Sequence, residues 1–277
     1  MRAAFMTLGC KVNHYETQAI RELFEKDGWE IVPFSDLAEL YLINTCTVTA
    51  MSDAKSRQAI AKARARNPKA LIAAVGCYAQ AAAETLAALP GVGLVVGTEG
   101  RKNIVSLVDQ ALSADNGRIV EVKSPQSFEP LSAVKDGRTR ATLKIQDGCT
   151  NFCSYCIIPY VRGPLRSRPL ADVETELRAL ADEGYREVVL SGIHLCSYGR
   201  DLGGVDLLDV LSLTRRIAGI ERVRLGSLEP GFVDERFAAA VAENGKVCDQ
   251  FHLSLQSGSP TVLARMKRRY TPEAFAH

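Results

Sequence analysis

Along the first part of the chain, short apolar runs alternate with longer stretches whose hydrophobic positions recur at helical spacing. The runs at 2–9, 29–33, 40–45, 71–76 and 94–97 have the length of buried strands, and the stretches at 16–26, 52–66, 81–89 and 103–112 have the period of helices. Strands alternating with helices predict an α/β fold with a doubly wound, mostly parallel sheet. From 113 to 140 the periodicity lapses around Pro125 and Pro130, apart from the apolar run 119–122. An interdomain connection is therefore expected over 114–138. The rhythm resumes at Ala141-Thr142-Leu143-Lys144-Ile145, after which helices at 172–183, 207–217, 234–243 and 260–268 interleave with strands at 187–191, 222–225 and 250–255. Four strand–helix units make a second α/β domain, short of a full (β/α) barrel. The expected organisation is a first domain over 1–113 and a second over 139–277, with a further helix starting after Thr271 and Pro272.

Composition adds little to this picture. With 277 residues, 47% hydrophobic and 24% charged, the chain has the make-up of a globular protein of about two domains. A net charge of +2 does not by itself indicate a partner, so any argument for nucleic acid rests on local charge. Met1-Arg2-Ala3-Ala4-Phe5 runs directly into the first strand without a signal-peptide pattern, and the longest weakly polar stretch, 70–83, is interrupted by Gly76 and Gln80. It is too short to span a bilayer. A cytoplasmic protein with no membrane partner is expected. Eight cysteines in a reducing compartment read as metal binding or catalysis rather than as a disulfide framework.

The cysteines fall into two sets of three with two left over. Gly148-Cys149-Thr150-Asn151-Phe152-Cys153-Ser154-Tyr155-Cys156 places three thiols at Cys-x3-Cys-x2-Cys directly after a predicted strand. Soft thiolates select zinc, Cu(I) or iron–sulfur clusters. A closed zinc site needs four ligands, yet the nearest histidine, His194, and the next cysteine, Cys196, are both one predicted strand away. Three ligands without a local fourth favour a cubane cluster with one open iron; a zinc knuckle or three unrelated buried thiols are the plain alternatives. Cys10, Cys46 and Cys77 each follow the last residue of a predicted strand. In a parallel sheet all three lie on the carboxyl-terminal edge, where ligands bind; otherwise they are ordinary core thiols. Cys196 and Cys248 belong to neither set and read as inert thiols. His194 and His252, with no carboxylate partner in view, read as packed histidines.

The loop that carries Tyr155 before its last cysteine resembles the signature of the radical S-adenosylmethionine superfamily. Together with Leu8-Gly9-Cys10-Lys11-Val12-Asn13, Asn44-Thr45-Cys46-Thr47 and Val75-Gly76-Cys77-Tyr78, it resembles the methylthiotransferase family over the whole chain. The resemblance implies an enzyme with two [4Fe–4S] clusters. Cys149, Cys153 and Cys156 would hold the cluster that cleaves S-adenosylmethionine, and Cys10, Cys46 and Cys77 the auxiliary cluster that delivers the methylated sulfur. It implies further that Tyr155, Gly192, Ser227, Glu229 and Gln256 contact S-adenosylmethionine, with Gly192 allowing close backbone approach. The polar residues among them can equally cap the next helix or face water. Lys11-Val12 after the first cysteine is similar to the subfamily acting on N6-threonylcarbamoyladenosine next to the tRNA anticodon. Alternatives are the enzymes that methylthiolate isopentenyladenosine in tRNA or an aspartate of a ribosomal protein, and, from another class, a non-catalytic iron–sulfur redox or sensing protein. Implied partners are the tRNA anticodon loop and an electron donor such as flavodoxin or ferredoxin, with no role for DNA. The family's small β-barrel RNA-binding domain is missing, so the chain reads as a fragment with an incomplete barrel.

Two basic stretches bear on RNA. Residues 55–69 carry six basic residues and no acidic one, with Lys55, Lys62 and Arg66 on one helical stripe, joined by Lys69 if the helix passes Pro68. The stripe reads as a phosphate-binding surface or a solvated helix face. Arg162, Arg166 and Arg168, with Tyr160 among them, suit a splayed base and its phosphate, or else line the cluster.

Overall fold

Every residue of the runs 40–45 and 71–76 is buried, which marks them as the centre of a sheet covered on both faces. In the computed structural model, which describes residues 1–114, 118–134 and 139–277, the chain divides into two units. The first is Met1–Ala133 with Tyr160–Gly163, and the second is Val134–Pro159 with Pro164–His277. Of the connection expected over 114–138, residues 115–117 and 135–138 lie outside the described residues. Much of the remainder belongs to the first unit, where the run near 119–122 forms a sixth strand.

The first unit runs β1 (Arg2–Thr7), α1 (Lys11–Lys26), β2 (Glu30–Val32), β3 (Leu40–Thr45), α2 (Ala50–Arg66), β4 (Leu71–Gly76), α3 (Cys77–Ala81), α4 (Ala83–Ala87), β5 (Val92–Val96), α5 (Ile104–Ser113) and β6 (Ile119–Glu121). The strand order is β2-β1-β3-β4-β5-β6 and every pairing is parallel. Because side chains alternate across a strand, Ala4, Tyr41, Ile43, Ile72 and Ala74 pack with Ile60 and Leu86 on one face. Ala3, Leu42, Ala73 and Val75 pack with Ile20, Phe24, Ile104 and Val108 on the other. The helix expected at 16–26 begins earlier, at Lys11, because Gly9 at φ +103° turns the chain straight out of β1. The helix expected at 81–89 is two short ones, broken at Ala82 (φ −146°, ψ 52°). α2 ends at Arg66, before Pro68, so Lys69 is not on its stripe.

The second unit runs β7 (Ala141–Asp147), α6 (Ile158–Arg162, whose last turn counts with the first unit), β8 (Arg166–Ser167), α7 (Leu170–Asp182), β9 (Glu187–Gly192), α8 (Leu207–Arg216), β10 (Arg222–Leu225), α9 (Glu235–Asn244), α10 (Pro260–Arg265) and α11 (Pro272–Ala276). Its sheet has the order β10-β9-β7-β8, parallel except for the antiparallel edge strand β8. The strand expected at 250–255 is not a strand. Val247 and Leu253 each form one parallel bridge, to Val223 and Leu228. Between them the backbone leaves the ladder and Phe251 packs edge-on against Phe237, ring centres 5.5 Å apart. No helix among the described residues is long and apolar enough to cross a membrane.

Candidate cluster sites

Parallel pairing sets Thr7 against Asn44 and Thr45 against Gly76, so the residues that follow these strands share one rim. Adjacent strands lie about 4.8 Å apart, which brings Cys10, Cys46 and Cys77 to neighbouring positions. Cys10 is exposed there, whereas Cys46 and Cys77 are buried. Two glycines permit this crowding. A Cβ on Gly9 would stand 2.9 Å from the Cys46 sulfur, and one on Gly76, at φ +94°, would stand 2.3 Å from Asn44 Oδ1 and 2.9 Å from the Thr45 carbonyl.

The polar residues of the cysteine boxes tie the rim together. Asn13 Nδ2 donates to the Leu8 carbonyl at 2.8 Å and to the Thr45 carbonyl at 3.1 Å, joining the ends of β1 and β3. Asn44 Nδ2 donates to the Asn13 carbonyl and to Thr17 Oγ1 at 3.0 and 3.1 Å. Thr45 Oγ1 donates to the Val75 carbonyl at 2.6 Å and accepts from the Ala79 N–H at 3.2 Å, securing the end of β4 and the start of α3. Beneath the rim, Glu16 is wholly buried between Arg162 and Arg101. Burial pushes the Cys77 thiol above its ordinary pKa; the Arg162 charge and hydrogen bond oppose this, while Glu16 and Cys10 add to it.

In the second unit the cluster loop leaves β7 through Gly148 at φ +69° and turns again at Phe152, a non-glycine residue at φ +48°. Cys156 N–H closes a turn onto the Cys153 carbonyl at 3.0 Å, and Ser154 is anchored through N–H and Oγ to the carbonyls of Met266 and Arg265 at 3.2 and 2.9 Å. The three thiols act on one another: burial raises the Cys149 pKa, the Asn151 backbone N–H opposes it, and Cys156 and Cys153 add to the rise. Arg268 donates Nη1 to Cys153 Sγ at 3.2 Å and Nη2 to Glu229 Oε1 at 2.6 Å. Burial works against its charge, but the Cys153 and Tyr270 hydrogen bonds and Glu229 push its pKa further up.

Glu229 accepts from Arg268, stands 3.0 Å from His194 Nε2 and takes a weaker contact from Asn151 Nδ2 at 3.4 Å. His194 therefore has the carboxylate partner that its sequence context did not reveal. A cavity of about 210 Å³ is lined by Asn151, His194, Arg200, Glu229, Phe232 and Tyr270. Of the five expected cofactor contacts, only Glu229 lines it. Its side chain caps no helix. Tyr155 borders a separate cavity with Val262 and Met266. Ser227 Oγ is paired with His252 Nδ1 at 2.8 Å, and Gln256 is exposed at φ +65°. At Gly192 the close neighbour is Gln146 of β7, whose Oε1 a Cβ would meet at 2.8 Å. Burial raises the Cys196 pKa to about 11, and its sulfur, which borders the same cavity, accepts from the Glu229 N–H at 3.2 Å.

The reading of Arg162, Arg166 and Arg168 as an RNA surface is overturned. All three are buried, Arg162 on Glu16 at 2.9 Å, Arg166 on Asp147 at 3.5 Å and Arg168 on Glu176 at 2.5 Å. A guanidinium so placed is held by its carboxylate and has no open face for a base. On α2, Lys55, Lys62 and Arg66 are exposed. Arg57 bonds the Tyr78 hydroxyl at 2.9 Å, and Arg64 bonds the Pro68 carbonyl.

Among the described residues no three His, Cys, Asp or Glu side chains are gathered tightly enough to hold a single metal ion. A cubane presents a separate iron to each thiolate, and both sets are free soft thiols set on glycine-relieved turns, a donor chemistry that fits iron–sulfur clusters.

Residues 143–276 match the family described as the Radical SAM superfamily, and residues 2–97 match the one described as Uncharacterized protein family UPF0004. The fold is shared with the radical S-adenosylmethionine methyltransferase TsrM of Kitasatospora setae, at a TM-score of 0.65 and 18% identity, over 99% of this chain and 64% of that one. Fold and site together define a radical S-adenosylmethionine protein with a cysteine-bearing parallel-sheet domain ahead of the barrel. The threonylcarbamoyladenosine tRNA methylthiotransferase MtaB of Bacillus subtilis (strain 168) is 44% identical over 279 residues, covering 99% of this chain and 61% of the relative. Its counterpart in Aquifex aeolicus (strain VF5) is 40% identical, covering 99% of this chain and 68% of the relative. A tRNA-2-methylthio-N(6)-dimethylallyladenosine synthase of Syntrophomonas wolfei is 36% identical, covering 99% and 63%. The chain belongs to the radical S-adenosylmethionine methylthiotransferase family. It spans about three fifths of the length of the Bacillus relative.

Proposed function

We propose that the chain carries the catalytic core of an enzyme that converts N6-threonylcarbamoyladenosine, next to the anticodon of tRNA, to its 2-methylthio derivative. The observation that carries this reading is the pair of thiol sets. One lies on the rim of three adjacent parallel strands and the other in a Cys-x3-Cys-x2-Cys loop after a barrel strand. Their ligand roles, Cys10, Cys46 and Cys77 for one cluster and Cys149, Cys153 and Cys156 for the other, are part of the proposal. When bound, these groups supply one-electron cleavage of S-adenosylmethionine to a carbon radical and the sulfur that is inserted and methylated.

The protein's own residues orient and shield. Asn13, Asn44 and Thr45 hold the first rim rigid, burying two of its thiols and leaving Cys10 open to solvent. Arg268 steadies Cys153, and Glu229 presents a carboxylate beside the loop that can accept hydrogen bonds from the cofactor's amino group. The electrons come from an external donor such as flavodoxin or ferredoxin, and work on tRNA implies a cytoplasmic location. The threonylcarbamoyl substrate is favoured over dimethylallyladenosine by the higher identity to the former enzymes, 44% against 36%.

Mass spectrometry of tRNA nucleosides from cells lacking the gene tests the proposal. The 2-methylthio derivative of threonylcarbamoyladenosine should disappear and its precursor accumulate, both reversed by the restored gene. Loss of the dimethylallyl derivative instead would transfer the assignment to the other substrate, and an unchanged nucleoside profile would sink both.

A further inference from the structure

Between the outer side of α2 and the segment that leads into β5 lies a surface cavity of about 270 Å³. Ile60, Ala61, Leu89 and Pro90 give it apolar walls, and Arg57 and Arg64 line it as well. Neither guanidinium is met by a carboxylate. Arg57 Nη1 donates to the Tyr78 hydroxyl at 2.9 Å, and its guanidinium carbon lies 5.9 Å from the centre of that ring. Arg64 Nη1 donates to the Pro68 carbonyl, and its stem runs so close to Gly91 that a Cβ there would stand 2.8 Å from Cδ. Both side chains are held by neutral acceptors, which orient a charge without cancelling it.

The rest of this helix face carries the same uncompensated charge. Lys55, Lys62 and Arg66 are exposed on one stripe of α2, and Lys69 is exposed just beyond its end. Among the described residues none of these six cations forms an ion pair with a carboxylate. The exposed Arg178, Arg186 and Arg236 of the second unit, by contrast, are paired with Glu174, Glu221 and Asp206. Like charges four positions apart on a helix, such as Lys62 and Arg66, cost stability unless an anion comes between them.

The helix also leads to the first thiol set. Its cap, Thr49, follows Cys46 by three positions, and from Lys55 to Arg66 the stripe runs about 17 Å away from the rim. Along its second half the exposed Ala61 and Ala65, whose side chains end at Cβ, separate the stripe from the cavity. A nucleotide offers both things this face takes, a phosphate for a cation and a flat base that stacks on apolar groups and guanidinium planes. An acidic protein would meet the charge but leave the apolar slot between two guanidiniums unfilled.

We propose that the outer face of α2 is an RNA-docking surface, with Lys55, Lys62 and Arg66 on phosphates of a single-stranded segment and a base seated between Arg57 and Arg64. The RNA is the tRNA named under Proposed function, and the inference rests on that reading.

The test is fluorescence anisotropy on the full-length protein, with a labelled anticodon stem-loop RNA that carries N6-threonylcarbamoyladenosine, over a series of salt concentrations. K55A/K62A/R66A should weaken binding about tenfold or more at low salt. It should also flatten the slope of log affinity against log salt by about 2, since each lost contact with a single strand takes away about 0.7. R178A/R186A/R236A removes the same formal charge from exposed positions of the second unit and should leave the slope unchanged. A61E sets a carboxylate between Arg57 and Arg64 and should weaken binding while the stripe stays intact; if the triple variant does not fold, A61E decides. An equal loss in the R178A/R186A/R236A control overturns the proposal, as does wild-type affinity in A61E. Wild-type affinity and slope in K55A/K62A/R66A overturn it too, and slower reduction of that variant by flavodoxin would then give the face to an acidic electron donor. Wild-type protein that does not bind the RNA overturns the tRNA reading and this inference together, whereas wild-type binding that K55A/K62A/R66A leaves unaltered overturns the inference alone.

Discussion

His194 Nε2 stands 3.0 Å from Glu229 Oε2, while Arg268 binds the same carboxylate through Oε1 at 2.6 Å. Burial works against the ionised Glu229, but the His194 hydrogen bond and charge, with Arg268 and Arg200, hold its pKa below the usual carboxylate range. A folded-state pKa depressed in this way contributes stability above the unfolded value of about 4.3, and the contribution is lost as pH falls below it. E229Q should therefore destabilise the protein at neutral pH, by about 1–2 kcal/mol. The difference should shrink as the medium is acidified below about pH 4. Urea unfolding at a series of pH values measures this; a difference that does not change with pH would mean that the charge of Glu229 is not what matters.

Asn13 bonds two carbonyls that belong to different strand ends, and its Oδ1 accepts from Arg162. N13A leaves those buried groups without their partner and should cost about 2–3 kcal/mol. It should also lower the iron retained at the first thiol set while reductive cleavage of S-adenosylmethionine persists. Chemical denaturation and iron analysis read the two effects. Wild-type iron content at the first set would show that Asn13 does not organise the rim.

Gly76 and Gly28 both have positive φ, +94° and +82°, but only Gly76 has neighbours within 4 Å of a built Cβ. G28A should lose only the backbone preference, about 1 kcal/mol. G76A should lose more, roughly 3 kcal/mol, because the added methyl meets the Asn44 side chain and the Thr45 backbone. Equal unfolding midpoints for the two variants would contradict the close packing of β3 against β4 at the rim.

Replacing Cys149, Cys153 and Cys156 together by Ala should abolish formation of 5′-deoxyadenosine and remove about half of the roughly eight iron atoms expected for two four-iron clusters. The remaining cluster should stay visible by spectroscopy, since the two thiol sets belong to separate units. Loss of both clusters would show that they assemble interdependently.

Much of this site was legible along the chain because the relevant signals are local. Short apolar runs set between stretches of helical period mark β1, β3 and β4, and the parallel sheet they imply places Cys10, Cys46 and Cys77 on one rim without any knowledge of tertiary contacts. The spacing of Cys149, Cys153 and Cys156 is likewise contained in one loop. The supporting groups were not legible. Arg162 meets Glu16 across 146 positions, and Arg268 meets Cys153 across 115. The pairing of His194 with Glu229 and the burial of Arg166 and Arg168 against carboxylates arise from the same kind of contact. The sequence by itself determined that β1, β3, β4 and β7 form and where the thiols after them emerge, because backbone periodicity and turn chemistry act over a few residues. Only the tertiary structure decided which charges neutralise one another around those thiols, because a long side chain takes its partner from whatever the folded chain brings within a few ångströms, and no local pattern records that choice.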